Sequence, residues 1–226
     1  MQKQVSVAFM VCGLLFTTCL IVANIVAQKL ITIGPIEATA GLLIFPISYI
    51  LNDIIAEVWG YRKARLIIWS GFLMNFIVVG IFQLSIWMPG SANFTHQAEF
   101  HLILGNTLRM VFASFISFLC GSFLNALVMS KMKIMQKGRG FSLRAVVSTL
   151  FGEGADSLIF FSLAFYGILS GGNLVRLILT QALMKTGYEI IILPVTNIVV
   201  RKVKKIEGVD TFDNNISYNP FKVKEI

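Results

Sequence analysis

The sequence predicts an all-α integral membrane protein: one domain of six transmembrane helices. Three observations carry that reading. Only 13% of the 226 residues are charged, against about 25% in soluble domains. Mean hydropathy is +0.79. Apolar runs close to 20 residues recur along the chain, the length that crosses roughly 30 Å of hydrocarbon.

The first span covers residues 8–28. It is longer than the apolar core of a cleavable leader, and no A-x-A site follows it, so it reads as a retained helix. A link at 29–38 contains the turn pair Gly34-Pro35. The second span is 39–58, and Gly60-Tyr-Arg-Lys-Ala-Arg65 reads as a tight basic turn. The third is 66–88, broken by Pro89-Gly90. A polar loop leads to the fourth span at 104–129, and a basic loop follows with Lys131, Lys133, Lys137, Arg139 and Arg144. The fifth span is 145–169, Ser170-Gly-Gly-Asn173 is a turn, and the sixth is 174–200. Residues 206–226 form a polar tail, expected to be a mobile cytoplasmic end. Basic residues just before it, Arg201, Lys202, Lys204 and Lys205, suit anionic lipid.

The net charge of +8 follows from topology. The N-terminus, the 60–65 turn, the 130–144 loop and the C-terminal tail together hold 15 of the 19 Lys and Arg residues. The opposite links hold Lys29 and Arg176 alone. Positive charge marks the cytoplasmic side, so both termini are expected there, in a multi-pass protein of the cytoplasmic membrane. Trp87 sits where an interfacial aromatic belongs. No basic patch interleaved with aromatics asks for nucleic acid. The three cysteines, Cys12, Cys19 and Cys120, fall within spans without a C-x-x-C and read as packing residues. H-E-x-x-H, G-x-S-x-G and Walker A signatures are missing, and no cofactor or metal is expected. Both histidines, His96 and His101, lie in or beside the outer loop, which leaves no intramembrane Ser-His dyad.

Five acids lie within the predicted spans: Asp53, Glu57, Glu153, Asp156 and Glu189. A carboxylate at bilayer depth costs about 2.5–3.5 kcal/mol on insertion scales. Lys185 and Arg109 are the bases available inside the spans, so carboxylates are left over for protons, water or a ligand. Spacing groups the charges on helix faces: Asp53 with Glu57, Glu153 with Asp156, and Lys185 with Glu189. The fifth and sixth spans are antiparallel neighbours, so Lys185 can reach Glu153 or Asp156. That contact reads either as a lock between helices or as a substrate- or proton-handling site. Asp53 and Glu57 either snorkel to the headgroups or pair with Arg62 or Arg65. Glu57 and Asp156 are candidates for proton coupling. Arg109 either serves as a buried base or snorkels outward. Asn24 and Gln28 share a face near the outer end of the first span, either gluing helices or lining a cavity. Ser117, Gly121 and Asn125 recur every fourth residue and suggest close helix approach.

Four stretches resemble one known family. They are Val22-Ala-Asn-Ile-Val-Ala-Gln-Lys-Leu30, Phe45-Pro-Ile-Ser-Tyr-Ile-Leu-Asn-Asp53, Glu57-Val-Trp-Gly-Tyr61 and Ser148-Thr-Leu-Phe-Gly-Glu-Gly-Ala-Asp156 with the following Ser-Leu-Ile-Phe160. They resemble the queuosine precursor transporter family, also described as a vitamin uptake transporter type. The resemblance implies a compact bundle like the substrate-binding subunits of energy-coupling-factor transporters. It also implies import of 7-cyano-7-deazaguanine, 7-aminomethyl-7-deazaguanine or queuine for salvage of a modified tRNA base. A guanine-like ring presents adjacent N–H donors on one edge, which a carboxylate accepts in pairs. On that reading Asp156, Glu153 or Asp53 holds the donor edge. Lys185, Asn24 or Gln28 donates to the ring carbonyl. Phe151, Phe160, Tyr49 or Tyr188 sandwiches the ring, and Glu189 joins the same polar group. Some members of the family carry Asn where this chain has Glu153. The expected partners are the small-molecule solute, the lipid bilayer and, on a rival reading, a separate ATP-driven energising complex. A second rival is an intramembrane enzyme or a structural membrane protein.

Overall fold

The computed structural model describes residues 5–27, 29–33, 36–105, 108–168 and 170–222. Gln28 and the Gly34-Pro35 turn lie outside these described residues. Among the described residues six α-helices carry the fold: α1 Val7–Val26, α2 Phe45–Trp87, α3 Gln97–Leu104, α4 Leu108–Met135, α5 Phe141–Phe165 and α6 Gly171–Glu207. Ser6 caps α1, its hydroxyl accepting from the Phe9 N–H at 3.1 Å. Between α1 and α2 two short strands, β1 Leu30–Ile33 and β2 Ile36–Thr39, pair antiparallel with Leu30 opposite Thr39. The expected plain link is thus partly a β pair, and a 3-10 turn, Ala40–Leu43, leads into α2. α3 occupies part of the stretch expected to be loop.

Among the described residues five stretches are long and apolar enough to cross a bilayer: Val7–Val26, Ala40–Trp87, Gln97–Met135, Phe141–Phe165 and Gly171–Glu207. The sequence reading of six meets five because the second and third expected spans form one helical stretch. The basic turn at 60–65 is not a loop. Only Gly60 leaves helical geometry, at φ 80° and ψ 173°, a region essentially restricted to glycine.

That one residue reverses the chain. Before it, Asn52 donates to Asn125 at 2.9 Å, and the Glu57 carbonyl receives Lys133 Nζ at 2.5 Å, so the 45–59 arm runs parallel to α4. After it, Trp69 packs on Phe123 and Phe72 on Phe115, so the 61–87 arm runs back down the same helix. A straight helix would set Asn52 and Phe72 about 30 Å apart along its axis. Their partners on α4 are only about 15 Å apart by the same rise.

Small residues set the closest crossing, between α4 and α5. A Cβ at Gly152 would fall 2.7 Å from the Asn125 Cβ and 3.0 Å from the Gly121 carbonyl oxygen. The Ser117–Gly121–Asn125 stripe is therefore a packing seam. α1 lies against α2 through Phe9 on Trp59, with Phe16 filling the space beside Gly71. Arg109 does not simply snorkel. Its guanidinium donates to the carbonyls of Leu163 and Tyr166, both at 2.6 Å, and satisfies the open end of α5.

The bundle is apolar outside and polar within. Leu14, Phe76, Ile81, Ile191 and Val195 are exposed, while Asn52, Asp53, Glu57, Arg65, Arg144, Glu153 and Glu189 are buried. Water would reverse that order; lipid selects it.

The tail is docked, which overturns the expectation of mobility. Asp213 accepts from the Tyr61 N–H at 2.8 Å and from Ser130 Oγ at 2.5 Å. Arg65 donates to the carbonyl of Asn219 at 2.8 Å, and Trp69 Nε1 to that of Pro220 at 2.9 Å. Tyr61 OH reaches the Tyr218 carbonyl at 3.0 Å. Polar composition suggested a loose end. The partners are buried donors on α2 and α4 that need acceptors.

Candidate functional site

A cavity of about 400 Å³ opens between α1, α2, α4, α5 and α6. Its walls are largely apolar and aromatic, with Phe45, Phe115, Phe118, Phe160, Phe161 and Phe165. The polar groups on its lining are few: Asn24, Thr39, Ser114, Ser117, Asp156, Gln181 and Lys185. That balance and size are those of a small-molecule site.

The charged centre is built by α5 and α6. Lys185 Nζ donates to Asp156 Oδ2 at 3.0 Å and lies 2.7 Å from Glu153 Oε2. The Glu153 contact is an ion pair through Oε2, and Glu153 Oε1 has no hydrogen-bond partner. Lys185 Nζ also sits 4.3 Å from the centre of the Phe45 ring, a cation–π contact. The i, i+3 spacing of Glu153 and Asp156 turns both acids toward α6. Lys185 therefore meets both carboxylates rather than one.

The expected site residues divide by position. Asp156, Lys185, Asn24 and Phe160 line the cavity. Glu153 stands behind Lys185, fully buried. Asp53 and Glu189 are fully buried and do not line it. Phe151 does not line it either; its side chain is 55% exposed on the outer face of α5. Gln28 lies outside the described residues. Asn24 is already engaged, donating to Asn75 Oδ1 at 3.0 Å and accepting from Ser114 at 3.4 Å.

Glu57 belongs to a different cluster. Arg144 grips it with two bonds, at 2.9 and 2.6 Å, Lys204 bonds the same carboxylate, and Lys133 is 3.8 Å away. The pairing expected with Arg62 or Arg65 does not form; Arg65 turns to the tail. This cluster also corrects the count of bases inside the bundle, since Arg65, Lys133 and Arg144 are buried and Lys185 is half-buried at the cavity. Of the other four carboxyls, Glu153 and Asp156 share Lys185, and Asp53 and Glu189 have no ion-pair partner among the described residues.

Sequence reasoning missed Phe45, Phe161 and Phe165 as lining residues. Gln181, one of the span amides that read either as helix glue or as cavity lining, does line it, four residues before Lys185 on the same helix face. Phe45 carried no signal, because its contact with Lys185 joins the first residue of α2 to α6 and has no local spacing to announce it.

A bundle that is apolar outside, polar inside and hollow at a charged centre is a multi-pass membrane protein. The profile of the family described as "Putative vitamin uptake transporter" matches residues 39–199. The chain belongs to that family, which is one of transporters and not of enzymes. It is 27% identical over 148 residues to the "Queuosine precursor transporter" of Escherichia coli (strain K12), covering 64% of this chain and 62% of that protein. It is 25% identical over 177 residues to the "Probable queuosine precursor transporter" of Bacillus subtilis (strain 168), covering 76% of each. A third relative, the "Probable queuosine precursor transporter" of Haemophilus influenzae, is 27% identical over 134 residues, 58% of this chain and 53% of that protein. The chain thus spans less than two thirds of the length of the first and third of these relatives. No solved structure matches the chain.

Proposed function

We propose that the chain imports queuosine precursors across the cytoplasmic membrane: 7-cyano-7-deazaguanine, 7-aminomethyl-7-deazaguanine or queuine. The names of the three relatives support the solute class. The observation that carries the reading is one acid and one base on the wall of an aromatic cavity of about 400 Å³ inside the bundle. Asp156 takes the adjacent N–H donors of the ring edge. Lys185 or Gln181 donates to the ring carbonyl, and the Phe45, Phe160 and Phe161 rings offer flat faces for stacking. An aminomethyl group adds a cation that Asp156 and Glu153, two acids sharing the single Lys185, accommodate.

The two arms of α2 cross the membrane separately, which gives six crossings with both termini cytoplasmic. The first arm is short, 15 residues from 45 to 59, or about 22 Å at helical rise. The 3-10 turn before it supplies about 8 Å more. Such a compact six-crossing bundle is the kind expected from the likeness to energy-coupling-factor binding subunits.

The test is uptake and binding of the three labelled precursors by the wild type and Asp156→Asn in liposomes holding this chain alone. Loss of a charge-assisted hydrogen bond of about 1.5–3 kcal/mol should weaken binding by about ten- to a hundredfold. Equal binding by the variant would remove Asp156 from the site. Binding without uptake by the wild type would instead make the chain the solute-binding part of a larger, separately energised complex.

A further inference from the structure

The cavity gives Asp156 and Lys185 a use. It leaves two carboxyls behind it without one. Asp53 and Glu189 are both fully buried. Neither Glu189 oxygen has a hydrogen-bond partner, nor has Asp53 Oδ2. Ser148 Oγ lies 3.5 Å from Asp53 Oδ1, but its shorter bond, 2.9 Å, goes to the Ala145 carbonyl.

Helix register brings the two carboxyls to one level. Residues 49, 53 and 57 of α2 face Gly152, Ser148 and Arg144 of α5 in antiparallel one-turn steps. On α6, Lys185 stands at the level of Glu153, and Asn197 reaches Ser142 at 2.8 Å. Glu189 is one turn past Lys185, which places it beside Asp53. The electrostatics agree: the charged groups acting on Asp53 are Glu189 first and then Glu57, both acids. From α4 the fully buried Asn125 amide also faces Asp53, a neutral group that can donate to it and carries no charge to balance it.

Every nearby cation is committed elsewhere. Toward the cavity, Lys185 is held by Glu153 and Asp156. Toward the basic end, Arg144, Lys204 and Lys133 gather on Glu57. Two neighbouring carboxylates with neutral donors on one and no cation on either are not tolerated as a pair of ions. A metal ion would ask for a cage, and among the described residues no three His, Cys, Asp or Glu side chains converge to hold one.

We infer that Asp53 and Glu189 share a proton, and that this pair is where an inward proton gradient drives the import proposed above, on which the inference rests. The pair takes its proton from the outer aqueous phase with the solute bound. It releases that proton on the basic side as the solute leaves, one proton inward per solute. Only O–H bonds form and break.

Two measurements test it. Infrared spectra of purified wild type at neutral pH should carry a protonated-carboxyl C=O band that Asp53→Asn and Glu189→Gln each lose; a wild type without the band overturns the shared proton. In liposomes with the membrane potential clamped, a one-unit inward pH gradient should accumulate labelled 7-cyano-7-deazaguanine about tenfold, since one pH unit is a factor of ten in proton activity. Glu189→Gln and Asp53→Asn should keep solute exchange at zero gradient and lose the accumulation. Accumulation by both variants equal to wild type, or accumulation in wild type driven by sodium instead, overturns the coupling. If the wild type exchanges no deazaguanine, the import reading falls and the infrared band alone decides the proton pair.

Discussion

Glu57 shows how much a single carboxylate can organise. Its side chain joins α2 to α5 through Arg144 and to α6 through Lys204. Removing one member of such a buried set strands the others. Glu57→Gln should therefore destabilise the protein by about 3–5 kcal/mol, read as a lower unfolding midpoint in detergent. An unchanged midpoint would mean that the cations find water or lipid instead. The residue scale is also where the sequence was most and least legible. Glu153, Asp156 and Lys185 could be placed together because helical spacing and an antiparallel pair of spans dictate it. The partners of Glu57 could not, because Lys133, Arg144 and Lys204 fall outside the apolar runs and read as loop or tail. The helices outlast those runs: α4 continues to Met135, α5 begins at Phe141 and α6 continues to Glu207.

At the level of elements, hydropathy located the apolar stretches well, since bilayer thickness fixes their length. It could not distinguish a loop between two spans from a single reversing residue. Gly60 makes that reversal, and it does so in contact with the tail. A Cβ there would fall 2.6 Å from Asp213 Oδ1 and 2.9 Å from Thr211 Cγ2, on a backbone that side-chain-bearing residues avoid. Gly60→Ala should cost about 1–3 kcal/mol and loosen residues 208–222. Limited proteolysis reads the second effect: cleavage in the tail should accelerate in the variant while the apolar helices stay protected. A tail cut at the wild-type rate would show that the reversal tolerates a Cβ. The β pair of Leu30–Ile33 and Ile36–Thr39 was not legible because two four-residue strands are too short for an alternating pattern to stand out beside apolar spans.

The whole molecule closes at one end by charge. Asp210 is partly buried, which raises its carboxyl pKa, but hydrogen bonds from Lys133 and Lys204 outweigh that and hold it below the ordinary aspartate value. Because the docked state lowers this pKa, its contribution is complete above about pH 4, the unperturbed aspartate range. It is lost as the pH falls through the depressed value. Tail protection against an acid-stable protease should follow that course, and Asp210→Asn should remove this part of the pH dependence. A profile identical in Asp210→Asn and wild type would assign acid release to other groups. The docked tail also imposes an order of assembly. Asp213 serves a backbone N–H that lies 152 positions earlier in the chain. During synthesis, Tyr61, Arg65 and Trp69 are already laid down while the carbonyls and carboxylate that will receive their hydrogens have yet to leave the ribosome. The reversing helix is therefore held provisionally, by lipid, water or the translocation machinery, until residues 210–220 arrive to fasten it.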